Sequence, residues 1–370
     1  MRIVITGGDG FIGRNLSIRL QELGYTDELV RVTRTTSPYE LVQALTGADI
    51  VFHLAGTNRP KHISEFGVGN VDSTRDLCDA LRKLGRPVTI AYTSSTQAVL
   101  DNPYGNSKRM AEDLLFTYGR ETGSAVHIFR LTNVFGKWSR PNYNSAVATF
   151  CHNISHGLPI TVTDPNAPLR LAYIDDVVTS FIGLLDKPAT NGFAEVEPIY
   201  ETTVGQVVEI IGSFSESRRT LVAPKVGAGF LRALHATYLS YLDPQDFSYT
   251  VPIHADERGV FVEILKTEDS GQFSYFTARP GITRGEHYHH TKTEKFLVIN
   301  GTARFGFRQI DTGETFAIET RGGDAKIVET VPGWAHNITN IGDNELVCLL
   351  WANEIFDRAN PDTIAFQVNT

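Results

Sequence analysis

Short apolar runs alternate with longer amphipathic stretches from residue 1 to about residue 185, a pattern that predicts parallel strands joined by crossover helices. The predicted strands are IVIT after Arg2, LVRVTR from Leu29, DIVFHLA from Asp49, VTIAYTS from Val88 and VHIFRL from Val126. Between Gly13 and Gly24, Leu16, Leu20 and Leu23 recur at helical spacing, so a helix follows the first strand at once. From residue 186 to about residue 245, helical pieces starting at Val204 and Leu231 lie among Gly, Pro and Ser and read as a lobe appended to the sheet. Pro244 and the following DFSYTVP mark a boundary, which divides the chain into 1–245 and 246–370. Beyond Val251 the pattern changes to short β-branched and aromatic runs, beginning at Phe261, Phe273, Lys295, Thr302, Thr315, Ala325, Asn337 and Leu346 and punctuated by Gly and Asp. Such spacing predicts an all-β barrel or sandwich.

The 370 residues are too many for one core of common size and fit two domains. A net charge of -8 argues against a broad basic surface, so no nucleic-acid partner is expected and any phosphate must be held locally. Cys78, Cys151 and Cys348 are widely spaced in segments that read as helix, helix and strand. Buried thiols in a reducing cytoplasm are therefore expected rather than disulfides. The first residues read as a strand, with no export signal and no apolar run of membrane-spanning length, so neither secretion nor insertion is expected.

Candidate chemistry appears in both halves. Gly7, Gly10 and Gly13, between a strand and a helix, permit a tight turn, close backbone approach to a pyrophosphate and close helix packing. The same glycines also suit an ordinary βα loop, so the context matters. Asn102 as N-cap and Pro103 in the first turn start a helix on which Tyr104 and Lys108 share a face, placing an ammonium beside a phenol whose pKa it can lower. The same spacing recurs by chance at Tyr288 and Lys292, in the β half. What distinguishes the first pair is Ser94-Ser95 at the end of the preceding strand, a source of a hydroxyl near the phenol. At the end of the second strand Arg34 offers a cation and no acid is available for a ribose 2′-hydroxyl, which favours NADPH.

These motifs, with NVDST from Asn70, NPYGNSK from Asn102, RLTNVFG from Arg130 and RLAYIDD from Arg170, follow in order those of extended short-chain dehydrogenase/reductases acting on nucleotide sugars. The resemblance implies a Rossmann-type doubly wound parallel sheet. It implies that Ser95 and Tyr104 bind the sugar carbonyl, that Tyr104 transfers the proton and that Lys108 holds the nicotinamide ribose. It places the cofactor on Gly7, Gly10, Phe11, Ile12, Gly13, Arg34, Leu54, Ala55, Gly56 and Asn70 as well, and the nucleoside diphosphate on Asn133, Arg140 and Arg170. The stretch between Ser95 and Tyr104 is shorter than in most relatives, which removes one loop over the site.

In the β half, His287 and His289 alternate on a strand and face one side, Glu294 lies on the turn beyond, and His336 on a later strand completes a shell of three nitrogens and one oxygen. A histidine-rich turn is the bland alternative for His287 to His290 alone. The longer string, Gly281-x5-His287-x-His289-x4-Glu294-x6-Gly301, matches the first cupin motif, and Gly333-x2-His336-x3-Asn340 resembles the second. His290 should face away from the site.

A reductase followed by a cupin resembles the CapF/WbjC family of capsule and O-antigen biosynthesis over the whole length. That resemblance implies a bifunctional homodimer acting on a UDP-activated 4-keto-6-deoxy-N-acetylhexosamine. A zinc cupin would epimerise C3 and the reductase would then reduce C4 with NADPH, giving UDP-2-acetamido-2,6-dideoxy-L-talose. The order follows from chemistry, because a hydrogen on C3 is acidic only while C4 is a ketone. Lys292, Lys295 and His290 are unranked candidates for removing the C3 proton. Two other readings remain: a nucleotide-sugar reductase or 4-epimerase with a structural cupin, and a nucleotide-binding sensor, against which the intact Ser95, Tyr104 and Lys108 argue.

Overall fold

In the computed structural model, which describes residues 1–186, 191–290, 292–310 and 312–368, the chain forms two compact units. The first comprises residues 1–211 and 233–242, the second residues 212–232 and 243–370. The first unit begins β1 (Ile3–Thr6), α1 (Phe11–Glu22), β2 (Leu29–Val32), α2 (Pro38–Leu45), β3 (Ile50–His53), α3 (Ser73–Leu84), β4 (Thr89–Ser95), α4 (Pro103–Thr122) and β5 (Val126–Leu131). It continues β6 (Asn133–Phe135), α5 (Ala146–Ser155), β7 (Pro168–Tyr173), α6 (Ile174–Ile182), β8 (Gly192–Ala194) and β9 (Ile199–Thr203), after which come α7 (Val204–Thr220) and α8 (Gly229–Leu239).

The main sheet is wholly parallel, in the order β2-β1-β3-β4-β5-β8. Successive side chains of each strand enter opposite cores. Val4, Val51, Ile90 and Ile128 pack with Leu45, Leu77, Leu81 and Leu115 of α2, α3 and α4. Ile3, Ile5, Ile50, Phe52 and Phe129 pack with Leu16 and Leu20 of α1 and Val177 and Phe181 of α6. Burial on both faces is why these strands read as nearly continuous apolar runs. The chain leaves β1 toward β2 on one side and reaches β3 on the other, which opens a crevice at the carboxyl ends of β1 and β3.

The described residues between 191 and 245 are divided, since 191–211 and 233–242 go with the first unit and 212–232 and 243–245 with the second. The first of these stretches supplies β8 to the main sheet and β9 to a small sheet ordered β6-β7-β9. Strands of three to five residues are too short to display a period that the sequence could reveal.

The second unit holds β10 (His254–Asp256), β11 (Gly259–Thr267), β12 (Gly271–Ala278), β13 (Thr283–Tyr288), β14 (Glu294–Asn300), β15 (Thr302–Gln309), β16 (Thr315–Arg321), β17 (Ile327–Glu329), β18 (Trp334–Asn340), β19 (Leu346–Ala352) and β20 (Ile364–Ala365). They form two sheets, ordered β10-β11-β12-β19-β14-β17 and β16-β15-β18-β13-β20. Phe276, Phe296 and Cys348 from the first meet Phe305, Phe307 and Ile338 from the second in one core. Residues 212–232 join this unit through Lys266, whose N–H donates to Leu221 and whose carbonyl accepts from Ala223. Cys78, Cys151 and Cys348 are free and buried, in α3, α5 and β19.

Candidate active sites

The glycine turn lies at the crevice. Gly7 has φ +69°, and a Cβ there would fall 2.8 Å from the backbone nitrogen of Ala55; at Gly13 it would fall 2.4 Å from the Gly7 carbonyl oxygen. No larger side chain fits at either place. Gly10 caps α1 without a side-chain bond and the first turn carries no acid, so the positive end of the helix faces the crevice without a competing carboxylate on that turn. Across the crevice, Leu54 and Ala55 donate to the Thr6 carbonyl and hydroxyl at 3.1 and 3.3 Å, which ties the loop after β3 to the glycine turn.

β2 ends at Val32 rather than at Arg34, so Arg34 stands exposed in the following loop. A second cation was not singled out from the sequence: Arg31, on β2 itself, reaches over the turn to the Gly8 carbonyl at 2.8 Å and pairs with Asp9. It is exposed on β2, whose only buried residue is Val32. No acid lies between Val32 and Ser37.

α4 starts as expected, with the Asn102 side chain accepting from Gly105 N–H at 2.8 Å and Pro103 in the first turn. Burial pushes the Tyr104 phenol above its ordinary pKa, and a hydrogen bond with Ser95 draws it part of the way back. Lys108 is not the group that lowers it in this structure. Its ammonium donates to the Thr93 carbonyl at 2.9 Å, and burial brings it down to about 8 while Glu112, one turn further along, works to raise it. The serine pair divides its work, since Ser95 bonds Tyr104 while Ser94 turns to Glu112. Glu112, buried and unforeseen, also accepts from Arg130 at 2.6 and 3.0 Å.

Asn70 sits in a wide helical turn, Gly67–Asp72, ahead of α3. Its side-chain oxygen accepts from Thr57 N–H at 2.9 Å, while its amide donates to the Thr57 carbonyl at 3.0 Å and to Ser107 at 2.9 Å. Asn70 thus fastens the loop after β3 to α4. Gly56 lies between them, where a Cβ would meet Asn70 at 2.9 Å and the Lys108 ammonium at 3.1 Å.

In the β unit, His287, His289, Glu294 and His336 each offer one ligand atom within 4.8 Å of the others. The path there differs from the expected one in two ways. His289 lies just past the end of β13, and Glu294 begins β14 instead of occupying the turn. A bulge sets His287: Gly285 faces Asn337 and His287 faces His336, with Glu286 the extra residue at φ +63°. Glu294 Oε2 stands 3.3 Å from His289 Nε2 and 3.4 Å from His336 Nε2. Burial works to raise the Glu294 carboxyl, but its polar contacts with the His289 and His336 rings and the nearby Lys292 charge hold it well below the usual range. Burial and the neighbouring His336 bring His287 down to about 4. An ionised carboxylate beside a neutral imidazole is the protonation state that a divalent cation needs. His336 Nδ1 is buried with no hydrogen-bond partner among the described residues. The donor set fits a metal.

Compared with known proteins, residues 3–196 match the NAD dependent epimerase/dehydratase family and residues 254–364 the polysaccharide biosynthesis C-terminal domain. Over 369 residues the chain is 54% identical to a UDP-2-acetamido-2,6-beta-L-arabino-hexul-4-ose reductase of Pseudomonas aeruginosa, covering 100% of this chain and 99% of that one. It superposes on the capsular polysaccharide assembling protein CapF of Staphylococcus aureus with a TM-score of 0.92 at 42% identity, covering 100% of both chains. This chain belongs to the CapF family. A UDP-glucose 4-epimerase of Thermus thermophilus, 19% identical with a TM-score of 0.54 over 65% of this chain, shares the fold of the first unit.

The remaining expected residues of this CapF-family chain fall unevenly. Asn133 and Arg170 come to neighbouring strands, Asn133 lying opposite Leu171, with Arg170 paired to an unforeseen Glu201 at 3.3 Å. Arg140 lies exposed with its guanidinium over the Tyr143 ring. Of the three candidate bases, His290 is exposed and Lys295 pairs with Glu329 at the surface. Only Lys292 reaches the cluster, donating to Glu294 Oε1 at 2.9 Å. No helix among the described residues is long and apolar enough to cross a membrane.

Proposed function

We propose that this chain reduces C4 of a UDP-activated 2-acetamido-2,6-dideoxy-hexos-4-ulose with NADPH after its β unit has inverted C3, giving UDP-2-acetamido-2,6-dideoxy-L-talose. The observation that carries the reading is the full-length 54% identity to a reductase of that substrate class, together with Ser95, Tyr104 and Lys108 gathered at the carboxyl end of β4.

In the reductase unit, Ser95 and Tyr104 hydrogen-bond the C4 oxygen, and the phenol, kept protonated by burial, releases its proton to that oxygen as the carbonyl becomes an alcohol. Bound NADPH supplies the hydride that ends on C4. The Lys108 ammonium, held by the Thr93 carbonyl, orients the nicotinamide ribose. Arg34 and Arg31, with no acid between Val32 and Ser37, favour the 2′-phosphate of NADPH. Asn133, Arg140 and Arg170 bind the nucleoside diphosphate, for which Arg170 exchanges Glu201 for phosphate.

In the β unit, His287, His289, Glu294 and His336 would hold zinc, whose preferred donors they are. A divalent cation there supplies Lewis acidity for the charge that develops on the C4 oxygen when the C3 proton leaves. Buried Cys78, Cys151 and Cys348 are consistent with a cytoplasmic enzyme, and the family resemblance carries the reading of a homodimer.

The test is a proton NMR time course in D2O with the UDP-4-keto sugar. Deuterium should enter C3 without NADPH, and the 4-hydroxy product should appear only when NADPH is added. Reduction with no prior C3 exchange would reject the epimerase half of the proposal.

A further inference from the structure

The segment near the C-terminus makes more bonds to the candidate metal site than its shortness suggests. The backbone carbonyl of Asp362 accepts from His289 Nδ1. A carbonyl can only accept, so Nδ1 must carry the proton and Nε2, the atom facing Glu294, keeps its lone pair. The Asp362 carboxylate then spans the turn between His289 and Glu294, one oxygen accepting from His290 N–H at 2.9 Å and the other from Lys292 N–H at 2.8 Å. Lys292 in turn occupies Glu294 Oε1 and leaves Oε2 toward His289 and His336.

The next residues hold the other histidine. β20 pairs with β13, Ala365 opposite His287 and Ile364 opposite Tyr288. Phe366 N–H donates to the Glu286 carbonyl at 2.9 Å, and Val368 N–H donates to the Glu286 carboxylate at 2.7 Å. Glu286 is the bulge residue that turns His287 to the cluster, and its second oxygen accepts from Asn337 at 2.8 Å. Val368 is fully buried, which anchors the segment.

We propose that residues 362–368 form a clamp that sets the metal affinity of the β unit, with Asp362 as its positioning residue. The inference rests on the reading of His287, His289, Glu294 and His336 as metal ligands. Asp362 donates no ligand atom in it. It fixes the tautomer of one ligand and the turn that carries Lys292 to another, so that the site is assembled before the cation arrives. Outer groups of this kind commonly account for about 10–100-fold in metal affinity.

The test is zinc affinity of the full chain, measured by competition with a chromophoric chelator, with the melting midpoint of the zinc-free proteins recorded alongside. Asp362→Ala, which leaves the backbone carbonyl to His289 but removes both acceptors from the His290 and Lys292 N–H groups, should weaken zinc about 10–100-fold while the zinc-free midpoint barely moves. Asp362→Asn, which keeps one acceptor and turns an amide toward the other N–H, should fall between, and it decides the matter if the alanine variant does not fold. A lowered zinc-free midpoint with affinity within about twofold of wild type would make Asp362 an ordinary structural residue and overturn the clamp. A wild-type chain that takes up no zinc would overturn the metal site itself, a different result.

Discussion

Ser94 and Ser95 are neighbours on one strand with opposite duties: Ser95 bonds the Tyr104 phenol, while Ser94 reaches back to the buried Glu112 carboxylate. Alternation along β4 makes this unavoidable, since adjacent side chains point to opposite faces. One serine addresses substrate and the other braces the strand against α4.

Tyr104→Phe should lower NADPH-dependent C4 reduction by about 100-fold or more, the usual worth of a positioned proton donor. Solvent deuterium should still enter C3 at the wild-type rate, because the β unit uses none of these residues. Parallel measurement of NADPH absorbance and of C3 exchange checks both halves. Loss of exchange in this variant would show that the two reactions share a site.

Arg34→Ala should weaken NADPH by about 1.5–3 kcal/mol, the worth of a charged hydrogen bond, and leave NADH almost unchanged. Arg31→Ala serves as the comparison, since its guanidinium already braces Gly8 and Asp9 and its loss should affect both dinucleotides. Titration of each cofactor by protein fluorescence measures the difference. Equal weakening of NADPH and NADH by Arg34→Ala would remove the basis for NADPH preference.

Lys108 supplies a pH dependence whose sign can be stated. Its folded pKa, about 8, lies below the ordinary lysine value, so the ammonium is present below pH 8 and is lost as pH rises through it. The kcat/KM for reduction should therefore decline above about pH 8. Stability should move the other way: between the folded and unfolded values the unfolded chain binds more protons, so this residue's burial penalty is relieved as pH rises. A rate profile flat to pH 10 in wild type would disconnect catalysis from the lysine charge.

Chelation, or His289→Ala, should stop deuterium entering C3 of the keto sugar while reduction of an already epimerised keto sugar continues. The contrast separates the metal reading from general damage to the protein. Persistence of C3 exchange in chelated, metal-free protein would point to a metal-free general base.

Much of this was legible in the sequence because each motif carries its own geometry. The glycine turn, the Asn102 cap and the Tyr104–Lys108 spacing are local, and the structure builds each where the residues predict. Two imidazoles and a carboxylate within eight residues are local too. What escaped depends on distant partners or on very short elements. Glu112 meets Ser94 and Arg130 each 18 residues away in sequence, and Asp362 lies 73 residues from His289. No periodicity links such pairs. β20 has two residues and β8 three, below the length at which alternation can be recognised.

The extra residue at Glu286 has an architectural consequence. Strict alternation along β13 would put His287, three residues on, on the face opposite Arg284; instead Arg284 pairs with Ile338 and His287 with His336, so both follow the inward side of β18. The inserted residue lets one strand run in two phases, the first set by the phenylalanine-rich interior and the second by the ligands. Arg284, whose guanidinium lies over Phe276, and His287 thus turn toward one interior although they are three residues apart.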